Sequence, residues 1–172
     1  MIPRPPEGSW SFGARSGDVE EARFVERYLF LTTHMLQLIR DTPLAPEAGR
    51  DRYLVLSGDK APELYAQCVF VGAQAAVCEV AAPVQRGPGA RRACRGALAR
   101  LGYDLVGFSG NYAKQVAINA DDVFDLSAFL LRSFYGAFLD DPDTRIRFDA
   151  PLVTASHAPE RRAQGTDSPP KT

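Results

Sequence analysis

Between Asp18 and Arg40, apolar residues recur near 3.6-residue spacing. Ala22, Val25, Leu29, Leu36 and Ile39 mark one line, and Phe24, Tyr28, Leu31, Met35 and Leu38 widen it. The spacing predicts a long amphipathic helix. Asp18 reads as its N-cap, Glu20 and Glu21 fall in the first turn where the helix dipole favours acids, and Pro43 and Pro46 stop it. The apolar face is wider than one surface contact requires. Two readings fit: a broad face under a single sheet, or a face shared between that sheet and a second subunit.

The pattern then changes period. Short β-branched and apolar runs over Arg52–Ser57, Leu64–Val71 and Ala75–Ala81 predict three strands. Only Gly72, Ala73 and Gln74 separate the last two, which makes them a hairpin. A three-residue loop sets Cys68 opposite Cys78, Phe70 opposite Ala76 and Ala66 opposite Val80. One face then carries Leu64, Ala66, Cys68, Phe70, Ala76, Cys78 and Val80, and the other a mixed set of Tyr65, Gln67, Val69, Val77 and Glu79. A two-residue loop would scramble both faces. Against the longer loop stands its glycine, which comes first where such turns favour it last.

After Gly87, Pro88 and Gly89, the segment Ala90–Leu101 reads as a short helix. Ala93, Cys94, Ala97, Leu98 and Leu101 are expected inward and the arginines outward, with Gly102 at the C-cap. Tyr103–Val106 and Tyr112–Ile118 form a second strand pair. Gly110 and Asn111 supply left-handed turn geometry between them. A last amphipathic segment, Asp121–Leu139, carries the stripe Phe124, Ser127, Leu131, Phe134 and Phe138, flanked by Val123, Leu126, Leu130 and Tyr135. Acids at Asp121, Asp122 and Asp125 favour its start, and Asp140, Asp141, Pro142 and Asp143 end it. Arg145–Val153 is a candidate final extended segment.

These elements define one α+β domain: a twisted antiparallel sheet of about five strands flanked by two long helices and one short helix. It spans residues 18–154. Residues 1–17, rich in Pro, Gly and Ser around Trp10 and Phe12, read as a flexible arm, and residues 155–172 as a disordered tail too polar to offset its ordering entropy.

Charge and chemistry narrow the function. A net charge of −1 gives no global attraction to phosphate backbones, and no aromatics interleave with Arg86, Arg91, Arg92, Arg95 and Arg100, so no nucleic-acid partner is expected. There is no apolar run of membrane-spanning length and no signal-like apolar core near Arg4, which predicts a cytoplasmic protein without a membrane partner. Cys68, Cys78 and Cys94 lack C-x-x-C spacing, and the default is reduced, buried thiols, although the three-residue loop makes Cys68 and Cys78 cross-strand neighbours, a pair that could oxidise outside the cell and should stay reduced inside it. No cofactor or metal is implied. His34 sits on the first helix and His157 in the tail, so neither is a placed base. Cys94 beside Arg91, Arg92 and Arg95, or an acid pair, is the enzymatic alternative. At each position capping, solvation or core packing explains the residue more simply.

The element order, with Leu101-Gly102-Tyr103 after the short helix and Gly110-Asn111-Tyr112 leading into the next strand, resembles the YbjN and type III secretion chaperone-like family over roughly Val25 to Leu139. The resemblance implies a non-enzymatic, chaperone-like or adaptor domain that binds a protein or peptide client and often dimerises. The exposed sheet face and flanking helices would then form the binding surface. Tyr65 and Val69 on the sheet, Tyr28 and Met35 on the first helix, Tyr112 on the late strand and Tyr135 on the last helix are the expected binding residues. A purely structural homodimerisation module is the remaining alternative.

Overall fold

The computed structural model describes residues 16–41, 52–72, 74–106, 110–118, 123–138 and 142–150. In chain order these form α1 (Ser16–Asp41), β1 (Arg52–Gly58), β2 (Tyr65–Val71), β3 (Ala75–Val80), α2 (Pro88–Arg100), β4 (Asp104–Val106), β5 (Asn111–Ala117), α3 (Phe124–Phe138) and β6 (Ile146–Asp149). The fold is α+β, as the patterning predicts. The two expected terminal arms, the prolines after α1, Asp121, Asp122, Asp140 and Asp141 lie largely or wholly outside the described residues.

All strand pairings are antiparallel, in the order β4-β5-β3-β2-β1-β6. The β2–β3 hairpin has the register that burial favours, with Ala66 opposite Val80, Cys68 opposite Cys78 and Phe70 opposite Ala76. Gly72 resolves the turn by adopting a positive φ of 71° at the first loop position. A sixth strand joins the sheet where an extended tail segment was expected: Val55 pairs with Asp149 and Gly58 with Ile146.

Side chains on one face of the sheet are buried in strict alternation: Leu54 and Leu56, then Ala66, Cys68 and Phe70, then Ala76, Cys78 and Val80. The helices cover this face. Phe24 on α1 meets Phe134 and Tyr135 on α3, with ring centroids 6.3 and 5.2 Å away. Gly136 of α3 lets α2 approach closely, since a Cβ there would stand 3.3 Å from Ala97 Cβ.

Each helix ends on a cation supplied from elsewhere. Arg52 donates to the Arg40 carbonyl of α1, Lys114 to the Leu101 carbonyl after α2, and Arg86 to the Phe138 carbonyl of α3. Terminal carbonyls lack intrahelical donors and carry the negative end of the dipole, so these bonds fix the helices to the sheet and loops. At α2 the stop is also local. Gly102 takes φ +77°, and the amides of Gly102 and Tyr103 donate to Ala99 and Leu98, closing a Schellman motif.

Several expectations about faces need correction. Ala22, expected on the apolar line of α1, and Leu31 and Leu38, expected to widen its apolar face, are exposed, because the buried arc runs through Phe24, Thr32, Leu36 and Ile39. Thr32 fits there because its hydroxyl donates to the Tyr28 carbonyl. Ala93 of α2 and Phe124 of α3 also face solvent, Phe124 because it begins its helix beyond the packed seam. Asp18 lies within the first turn of α1, which starts at Ser16, so it serves the dipole from inside the helix. Asn111 does not adopt left-handed geometry; Gly110 alone does, and Asn111 opens β5.

Candidate functional site

The second face of the sheet has no helix over it among the described residues, and its central side chains are half-buried. Strand register lays it out in rows. Tyr53, Val69, Val77 and Gln115 run across β1, β2, β3 and β5; beside them run Val55, Gln67, Glu79 and Ala113, with Asp149 flanking Val55. The centre is therefore an apolar strip of Tyr53, Val55, Val69 and Val77 between polar margins. Four of these strand residues, Tyr53, Val55, Val69 and Val77, are β-branched or aromatic types favoured in strands, and the same alternation that fills the core places them here.

One margin is a hydrogen-bonded cluster. Tyr65 Oη donates to Glu79 Oε1 at 2.9 Å, Asn111 Nδ2 approaches Glu79 Oε1 at 2.8 Å and Tyr65 Oη at 3.1 Å, and Asn111 Oδ1 accepts from the Ala82 amide at 3.1 Å. Three strands are joined by one carboxylate and one amide. Burial, and then the Glu79 charge and hydrogen bond, push the Tyr65 phenol upward in pKa, so it remains a neutral donor at physiological pH. The cluster can position a ligand's polar groups, but it contains no activated nucleophile.

The structure brings Tyr65 and Val69 together on this face and separates the other four expected binding residues from it. Tyr28 is half-buried between Phe24 and Phe148, its hydroxyl donating to the Thr144 carbonyl. Met35 packs against the core, Tyr112 lies opposite Val80 on the helix-covered side, and Tyr135 is buried beside Phe24. Those four pack in or against the core on the helix-covered side. Tyr53, Val55 and Asn111 were missed: alternation within Arg52–Ser57 signals the first two, whereas Asn111 looks like a turn residue until β5 is paired.

Two other surfaces are notable. On α1, Phe30 is 85% exposed and lies in line with exposed His34 and Leu38, with Leu31 beside it. At the end of the sheet a cleft of about 600 Å³ has Phe134 and Phe138 in its wall. Its acids are already engaged, Asp59 with Arg147 at 2.7 Å and Asp143 with Arg27 at 3.4 Å.

The cysteines correct the reduced-thiol expectation: Cys68 and Cys78 are joined as a disulfide across β2 and β3, and Cys94 is free and buried. Burial pushes the Cys94 thiol up to about 11, a rise that the nearby Arg86 only partly opposes. Such a thiol is a poor nucleophile at neutral pH. Among the described residues, no group of three His, Cys, Asp or Glu side chains is placed to share a metal ion.

Cys94 also gives the protein an alkaline limit. Its ordinary value is 9.0, and Tyr103, buried with its hydroxyl on Ser133 Oγ, is shifted upward too, again chiefly by burial. Both folded-state values exceed the unfolded ones, so the neutral forms stabilise the fold fully below pH 9, and this is lost as pH rises toward and through the folded values. Urea unfolding at stepped pH should show Cys94 alone removing about 2 to 3 kcal/mol by pH 11. Cys94→Ala should flatten that part of the loss; an unchanged slope would mean the thiol is not desolvated.

No helix among the described residues is long and apolar enough to cross a membrane. No family model, curated protein or solved structure matches this chain.

Proposed function

We propose that this chain is a non-enzymatic, chaperone-like or adaptor domain that holds a polypeptide segment of a partner protein against the open face of its sheet. The observation that carries the reading is the uncovered strip of Tyr53, Val55, Val69 and Val77, bounded by the Tyr65–Glu79–Asn111 cluster. A flat apolar centre with a polar rim is the general anatomy of a protein-binding patch. The burial and raised pKa of Cys94 support the non-enzymatic part. The buried disulfide supports an oxidising compartment as the working environment, in place of the cytoplasm.

Panning of the intact protein against a library of extended peptides should recover apolar sequences that bind saturably. In the Val69→Gln/Val77→Gln variant, which makes the central row resemble its own Gln67 and Gln115 neighbours, affinity should fall at least about tenfold while the melting curve stays cooperative. Failure to recover any peptide, or equal binding by the variant, would remove this reading. The homodimer expectation has its own support in the exposed Phe30 strip. Sedimentation of the wild type and of Phe30→Glu separates it from client binding, since only a dimer through α1 dissociates in the variant.

A further inference from the structure

On the opposite side of the molecule, α2 has an excess of positive charge that the fold itself does not use. From Ala81 to Tyr103 the chain contains five arginines and no Asp or Glu. Arg86 is taken up by the Phe138 carbonyl, and Arg100 lies within the field of Glu21. That leaves Arg91, Arg92 and Arg95, all exposed and with no partner among the described residues. Their arrangement is unfavourable for the helix. Arg91 and Arg95 are i,i+4 like charges, and Arg92 and Arg95 are i,i+3. Arg91 and Arg92 also follow a first turn that has no acidic residue and no side-chain cap, the end where the dipole disfavours cations. A helix selected only for solvation would intersperse acids here.

From this geometry we infer that the exposed face of α2 docks an extended acidic polypeptide segment, a second binding surface separate from the open sheet face. Arg91 and Arg95 are about 6 Å apart along the helix axis. Carboxylates at alternate positions of an extended peptide recur about every 6.8 Å on one side, so a Glu-x-Glu segment matches the pair, with Arg92 flanking it. The guanidinium fork favours carboxylates in this bidentate role. Other polyanions fit less well. The exposed residues of α2 include no aromatic ring on which a base could stack. Its largest apolar residues, Cys94 and Leu98, are buried in the protein, and the apolar residues it exposes are alanines, Ala93 and Ala99, too small a face to enter a lipid surface.

The test uses the full chain and three probes: an alternating Glu-Ser peptide, a single-stranded oligonucleotide of equal charge, and vesicles of anionic phospholipid. The peptide should bind saturably near physiological ionic strength, weaken with added salt, and bind more tightly than the other two. Arg91→Gln/Arg92→Gln/Arg95→Gln should weaken it at least about tenfold while its melting temperature stays level or rises, because like-charge repulsion has been removed. The Val69→Gln/Val77→Gln variant should bind the acidic peptide normally. No saturable binding, unchanged binding by the arginine variant, loss of binding in the valine variant, or tighter binding of the oligonucleotide or vesicles would each overturn the proposal.

Discussion

Phe24→Ala is expected to destabilise the protein by about 3 to 5 kcal/mol, a large part of the margin that ordinarily holds a domain folded. Phe24 is fully buried, and its ring centroid lies 5.1 Å from Tyr28, 5.2 Å from Tyr135 and 6.3 Å from Phe134. Truncation removes the burial of one large side chain, the two ring contacts that seat α1 on α3 and the one to Tyr28 within α1, and these packed neighbours cannot collapse into the space without leaving the sheet. The control is six residues along the same helix. Phe30 is 85% exposed, so Phe30→Ala in the monomer should change stability by no more than about 0.5 kcal/mol. Denaturant unfolding of both variants decides the matter: a loss under 1 kcal/mol for Phe24→Ala, or equal losses for the two, would contradict the described seam between α1 and α3.

That contrast marks the boundary of what the sequence discloses. Periodicity locates α1 but not its rotation, because its apolar residues cover too much of the circumference to choose a centre. The buried arc runs through a polar residue, Thr32, whose hydroxyl is satisfied by the turn before it, and an apolar pattern passes over such a position. The β2–β3 hairpin was legible to the residue because strand alternation has period two, so a shift of one residue exchanges the faces. Pairing of β6 with β1 was not legible. It joins positions about ninety residues apart, Val55 and Asp149 among them, with no local turn to fix the register.

The binding face divides the same way. Tyr65, Val69, Val77 and Glu79 were placed on one mixed surface by the hairpin alone, and the structure keeps them there. The contribution of Asn111 depends on β5 lying beside β3, a long-range outcome that turns an apparent turn residue into the amide joining three strands. An amphipathic tyrosine serves equally well at a surface or at the edge of a core, so residue type alone does not separate the two. Tyr28, Tyr112 and Tyr135 take the second role.

Removing the disulfide, by Cys68→Ala/Cys78→Ala or by reduction, is expected to lower stability by about 3 kcal/mol, which for a chain of this size corresponds to a fall in melting temperature on the order of 10 °C. The two residues are 10 apart in sequence, with Cα atoms 4.2 Å apart, close to the spacing of a non-hydrogen-bonded antiparallel pair. The hairpin therefore closes only a short loop. Its value lies in restricting an unfolded chain that otherwise samples several strand registers, and Cys68 and Cys78 sit at the centre of the register that separates core from binding face. Both sulfurs belong to fully buried residues, so a reductant acts only after local opening and the native protein resists mild reduction. Thiol counting checks the premise independently. The native protein should react slowly or not at all at neutral pH, the denatured unreduced chain should show one thiol from Cys94, and the denatured reduced chain should show the three cysteines of the sequence. Three thiols without a reductant, or an unchanged melting temperature after full reduction, would show that the bond does not hold the hairpin. It would also withdraw the argument for an oxidising compartment, while leaving the register, which rests on alternation, in place.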